Sequence, residues 1–236
     1  MNSPLSTPVQ STPVQPTLEQ LARLCLEGGM NRGTRTALPS GFAELDANLP
    51  GGGWRSGAIA ELMSDAMGIG ELGLLMPVLS SLARAGRYIA WIAPPYLPYA
   101  PALAQRGLPL ERVLLVRTDC LQESLWATEQ ALRCPAVGAV LSWPAHIIDK
   151  NVRRLQLAAE AGDSLGFLYR PAEAARESSP AALRLRLHAP GNGEGNGEGD
   201  GMTIEIQKVR GGRAGIRVQC RNKDAVVVHT PAAVGA

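Results

Sequence analysis

Apolar and polar positions follow two rhythms along this chain. Short apolar runs at Ala58 to Met63, Arg87 to Ala93, Val113 to Val116, Val137 to Leu141 and Leu165 to Tyr169 have the length and composition of buried strands. Between them, apolar positions recur at helical spacing. Leu72, Leu75, Leu79 and Leu82 line one predicted helix, which Pro77 should kink or shorten. Pro101 to Arg106 forms a short helix closed by Gly107. Leu121, Leu125, Thr128 and Leu132 share a face of a helix capped by Asp119 and Gln122, and Asp149 to Ala161 turns Val152, Leu155 and Ala159 inward. Strands alternating with such helices predict right-handed βαβ units and an α/β fold, a mostly parallel twisted sheet flanked by helices on both faces.

After Leu183 the rhythm becomes strict alternation. Leu183, Leu185 and Leu187 interleave with Arg184, Arg186 and His188, the period of a half-buried strand. Thr203 to Arg210 and Ile216 to Cys220 repeat it around the glycine-rich turn Gly211 to Gly215, predicting an antiparallel hairpin at the sheet edge.

Outside these elements the pattern thins. Residues 1–16 hold STPVQ twice and read as a flexible tail. Thr17 and Gln20 form a capping box for a helix bearing Leu18, Leu21 and Cys25, which Gly28 and Gly29 end; with its linker it occupies residues 17–37. The main domain spans 38–223, interrupted by a flexible glycine-rich insertion at 190–201, and 224–236 form a loose tail in which only Val226 to Val228 reads as ordered.

Composition narrows the classes. With 236 residues, 45% hydrophobic and 19% charged, the chain suits one soluble globular domain. A net charge of +2 is too small to imply nucleic-acid binding by itself. Cys25, Cys120, Cys134 and Cys220 lack metal-ligand spacing, and His146, His188 and His229 are scattered, so neither a metal site nor a catalytic triad is expected. Without a membrane-length apolar run or a signal-peptide core, a cytoplasmic protein is expected.

The stretch from Leu38 to Leu75 carries the most specific chemistry. Glycines at 51, 52, 53 and 57, a strand, the loop Ser64 to Gly70 and a helix form the layout of a phosphate-binding P-loop. Such a loop holds phosphates with backbone N–H groups, a Lys and a metal-holding Ser or Thr. Ser64, Gly68 and Gly70 keep the scaffold, but Glu71 stands in the Lys position and Leu72 in the hydroxyl position. A carboxylate facing a triphosphate is repulsive. The loop reads as degenerate, with no catalytic residue and no cofactor expected.

From about Thr17 to Cys220 the chain resembles the RecA-like superfamily. Leu38 to Asp46, Gly52 to Glu61, Tyr99 to Val116, Leu165 to Arg170 and Met202 to Cys220 carry the likeness. Within that superfamily it is most similar to the ImuA family of bacterial SOS mutagenesis cassettes. Residues 91–171 are also similar to SulA, the division inhibitor, in GLPL (107–110), LSWP (141–144) and GFLYRP (166–171). The resemblance implies a RecA-like three-layer core extended by C-terminal antiparallel strands. It also implies a non-catalytic adaptor of error-prone translesion synthesis, with an ImuB-like polymerase relative, RecA and an error-prone polymerase assembly as partners. Where RecA-type enzymes place a catalytic Glu this chain has Ala93, Pro94 and Pro95; where their Walker B Asp stands it has Ser142 and Trp143. RecA's first DNA loop corresponds to the brief connection Pro144 to Lys150, and its second to the weakly basic Ala172 to Ala182. Two alternatives follow: a SulA-like inhibitor binding the tubulin-like division protein, and a divergent RecA-like ATPase.

Two surfaces are candidates for contact. Lys208, Arg210, Arg213, Arg217, Arg221 and Lys223 occur without an intervening acid; they form either a solvated edge that discourages strand pairing or a surface for DNA or an acidic partner. Tyr96 and Tyr99, set among prolines, and Trp143 beyond a strand end would lie where α/β sheets bind ligands.

Overall fold

The computed structural model describes Arg23, Cys25 and residues 37–144, 146–189 and 201–221. The expected tails, most of the first helix, the glycine-rich insertion except Gly201, Lys223 and Val226 to Val228 lie outside the described residues.

One sheet of eight strands organises the molecule. In chain order its strands are β3 (Ala58–Ser64), β4 (Tyr88–Ile92), β5 (Val113–Val116), β6 (Val137–Ser142), β7 (Leu165–Pro171), β8 (Leu183–His188), β9 (Gly201–Val209) and β10 (Ile216–Arg221). Across the sheet the order is β10-β9-β8-β3-β7-β6-β4-β5. The six strands from β8 to β5 pair in parallel, and β9 and β10 add an antiparallel edge, as the change of rhythm at Leu183 predicts. Two short strands, β1 (Ala37–Leu38) and β2 (Trp54–Arg55), form a separate ribbon.

Helices cover both faces because the parallel strands are apolar on both. On one side α1 (Ala43–Asn48), α2 (Glu71–Arg84) and α3 (Ala100–Gln105) share a core with Leu62, Trp91, Leu141, Phe167, Leu185, Ile204 and Val218. On the other side α4 (Leu121–Arg133) and α5 (Asp149–Gly162) pack on Ile59, Ile92, Val140 and Leu168. Cys25 packs against this second core, and burial, reinforced by a hydrogen bond and charge from Cys134, pushes its thiol pKa up to about 12.

Four local expectations are corrected. Pro77 does not shorten its helix: α2 runs from Glu71 to Arg84 through it, with Gly73 four residues before the proline and buried contacts on nearly every side. Packing outweighs the lost bond and ring clash, which cost about 3 kcal/mol in an exposed helix. Asp119 does not cap α4 with its side chain; its backbone N–H donates to Glu123 Oε2 at 3.1 Å. Leu121 is exposed while Leu125, Thr128 and Leu132 are buried. Arg184, expected on a polar face, is buried against Glu61.

Candidate functional site

The loop between β3 and α2 is closed by its own side chains. Gly68 and Gly70 have φ of 79° and 103°, left-handed conformations that glycine adopts without strain. The Gly68 N–H donates to Glu71 Oε1 at 2.8 Å, so a loop amide that could face a phosphate is held by the chain's own carboxylate. Glu71 is the first residue of α2, where the helix dipole favours an anion. Ser64 Oγ donates to the Ala66 carbonyl at 2.6 Å and accepts from the Ala66 N–H at 3.2 Å, closing a local turn. Leu72 packs on the core.

The side chains behind this loop are aromatic. Trp143 stacks on Tyr169 at 4.7 Å with planes 2° apart, and Trp91 lies 6.1 Å from Trp143. Burial, and secondarily the Glu71 carboxylate, raises the Tyr169 phenol above its usual range. Tyr169 Oη, Trp91 Nε1 and Glu71 Oε2 are buried without hydrogen-bond partners among the described residues. Trp91 is core as its mid-strand position suggests, whereas Trp143 is half-buried in the aromatic stack. The hydroxyl of Ser142, at the end of β6, accepts from Thr128 Oγ1 at 3.0 Å inside the core.

Ala93 turns the chain out of β4 with φ of 48°, an uncommon conformation for a non-glycine residue. Beyond it Tyr96 and Tyr99 are 75% and 74% exposed, with Leu97 between them at 63%. Together with Trp143 and the β3–α2 loop they belong to the carboxyl-terminal edge of the parallel strands. At the same edge His146, Ile148, Asp149, Arg170, Glu177 and Ser178 line an open crevice of about 390 Å³.

The fold divides the basic run between two ends of the sheet. Lys208 Nζ donates to the Ser179 carbonyl, and Arg217 pairs with Glu205 at 3.3 Å. Arg210 and Arg213 stand at the β9–β10 turn. Because β9 is antiparallel to β8, that turn lies at the amino-terminal edge of the parallel strands, opposite Tyr96, Tyr99 and Trp143. Arg221, at the other end of β10, pairs in register with Gly201. Arg210 and Arg213 are thus at the opposite end of the sheet from the tyrosines and Trp143, whereas Arg221 is at the same end as them.

A buried ion network went unpredicted. Glu61, fully buried in β3, receives Arg184 Nε at 2.6 Å, Arg170 Nη1 at 3.2 Å and Ser179 Oγ at 2.9 Å. Arg184 also donates to the carbonyls of Ala174 and Glu177, and Arg170 reaches Glu177 at 2.9 Å. The network fastens the 172–182 segment to β3 and β8. A lone Glu inside the apolar run AIAELM was the available signal. Among the described residues, no cluster of His, Cys, Asp or Glu is arranged to hold a metal ion, and no helix is long and apolar enough to cross a membrane.

The family model described as Cell division inhibitor SulA matches residues 57–166, from the start of β3 into β7. The Cell division inhibitor SulA of Photorhabdus laumondii subsp. laumondii is 30% identical over 119 residues, covering 49% of this chain and 67% of that protein. The Cell division inhibitor SulA of Yersinia pestis is 30% identical over 116 residues, covering 49% and 69%. The chain belongs to the SulA family. The crystal structure of SulA from Pseudomonas aeruginosa is 28% identical, spans 48% of this chain and 97% of its own, and superposes with a TM-score of 0.41. The family span holds the glycine loop, the exposed tyrosines and Trp143; most of β7, all of β8, β9 and β10, and the two arginines that meet Glu61 fall outside it.

Proposed function

We propose that this chain is a SulA-like inhibitor of cell division in the response to DNA damage, acting by occupying a partner's surface and carrying no catalysis. Family membership supports the inhibitor reading. The non-catalytic part rests on one observation, the Gly68 N–H bonded to the Glu71 carboxylate where a nucleotide-binding loop would present a free amide and a lysine. With Leu72 in place of a metal-holding hydroxyl and Ser142 turned into the core, nothing in the loop neutralises or positions a triphosphate. The partner in this reading is the tubulin-like division protein, and exposed Tyr96, Leu97 and Tyr99 form the contact, since tyrosine buries a large area at low entropic cost.

Sedimentation of polymers of that division protein tests the reading. Stoichiometric addition of this chain lowers the polymer yield, and Tyr96→Ala with Tyr99→Ala restores it. Unchanged polymerisation at equimolar protein would count against it.

A second reading has its own support. The three strands outside the family span are continuous with the sheet, giving the chain a larger body than the matched span alone. This favours an ImuA-like adaptor on a RecA-like core, bringing an ImuB-like polymerase relative and the error-prone polymerase assembly to damaged DNA or RecA. Retention of purified ImuB-like protein on this chain, with division-protein polymers unaffected, would select it.

A further inference from the structure

At the amino-terminal edge of the parallel strands, opposite the tyrosine loop, a small cavity of about 40 Å³ opens between β2, the starts of β3, β7 and β8, and the end of β9. Its apolar wall includes Ile59, Phe167 and Ala182. Trp54 also lines it, set edge-on to Phe167 at 5.2 Å, and its buried indole Nε1 has no acceptor among the described residues. Arg55 and Arg210 line the mouth, both exposed. Arg213 follows at the turn, and none of these three guanidiniums pairs with a carboxylate among the described residues. Among the described residues no acid lines the cavity.

An apolar hole ringed by free guanidiniums discriminates between ligand classes. Each water needs roughly 10–15 Å³ of such volume, so the cavity takes about three water-sized groups, the bulk of one branched aliphatic side chain. Phosphodiester backbones satisfy the arginines but bring nothing apolar to fill the cavity, and a nucleobase is too large. A peptide carrying one aliphatic residue among carboxylates matches both parts, and its backbone carbonyls bring acceptors to a site that holds an unpaired indole N–H. Arginines at such a mouth meet carboxylates with paired, planar hydrogen bonds. We propose that this edge is a docking site for an acidic peptide segment of a partner protein, with one aliphatic side chain seated between Trp54, Phe167 and Ala182 and flanking carboxylates on Arg55 and Arg210. The site is separate from the tyrosine loop, so it stands whichever partner that loop serves.

Fluorescence polarisation on the full chain tests it with a labelled peptide EEDLEE, the control EEDSEE and a single-stranded 20-mer oligonucleotide. The expected result is at least tenfold tighter binding of the leucine peptide than of the serine peptide. Affinity should fall at least tenfold in Arg55→Glu with Arg210→Glu, whose positions are exposed and leave the fold intact. Ala182→Leu, which fills the cavity, should abolish the preference for leucine while leaving the charge-driven part. Equal binding of the two peptides, no binding of either, or oligonucleotide binding that exceeds peptide binding and disappears in the double variant would each overturn the proposal.

Discussion

Glu61 shows how one side chain fixes a region. It is the only acid in its strand and is fully buried, so its charge is tolerable because Arg170 and Arg184 both reach it. Glu61→Ala leaves two guanidiniums facing each other in the interior and is expected to cost about 3–5 kcal/mol, read as a lower urea midpoint. A loss under 1 kcal/mol would mean that water, not protein, carries the charge. Tyr169 makes the opposite case, because its buried hydroxyl has no partner among the described residues. Its pKa is raised, so its protonated form is favoured in the folded state. Stability from this group is fully present below the unfolded phenol pKa of about 10 and falls as pH rises above it. Tyr169→Phe should therefore be neutral or stabilising at pH 7 and should lose less stability than the parent between pH 9 and 11 in thermal melts.

At the scale of elements, the strands and helices were legible because their periods differ and both faces of the sheet are apolar. The antiparallel hairpin at the edge was legible from the alternation in Thr203 to Arg210 and Ile216 to Cys220 around the glycine-rich turn. What the pattern could not reveal was long-range. Arg184 looks solvent-facing in its own strand, and its burial depends on Glu61, 123 positions away in sequence. The basic run reads as contiguous in sequence, yet strand direction sends Arg210 and Arg213 to one edge while Arg221 pairs at the other end of β10. Glu71 was legible as a break in the phosphate-loop pattern, but its bond to the Gly68 amide depends on the loop's left-handed glycines. Arg55 drew no notice in the sequence, because its cavity is assembled from five separate strands.

For the molecule as a whole, the SulA-family span ends inside β7, yet the sheet does not end there. β8 pairs with β3 from Ala60 to Ser64, and Leu183, Leu185, Leu187, Met202, Ile204 and Ile206 complete the core under α2. A chain ending at Pro171 exposes that apolar surface and an unpaired central strand. It is expected to aggregate and to show no cooperative unfolding by circular dichroism; a folded monomer would make β8–β10 an appended module. The central claim is that the chain works by holding a partner and not by turning over nucleotide. Calorimetric titration of the full chain with ATP and Mg²⁺, followed by a phosphate-release assay, tests it most directly. The account predicts no binding heat and no phosphate above the protein-free blank, whereas magnesium-dependent phosphate release that is lost on substituting Gly70 would contradict it.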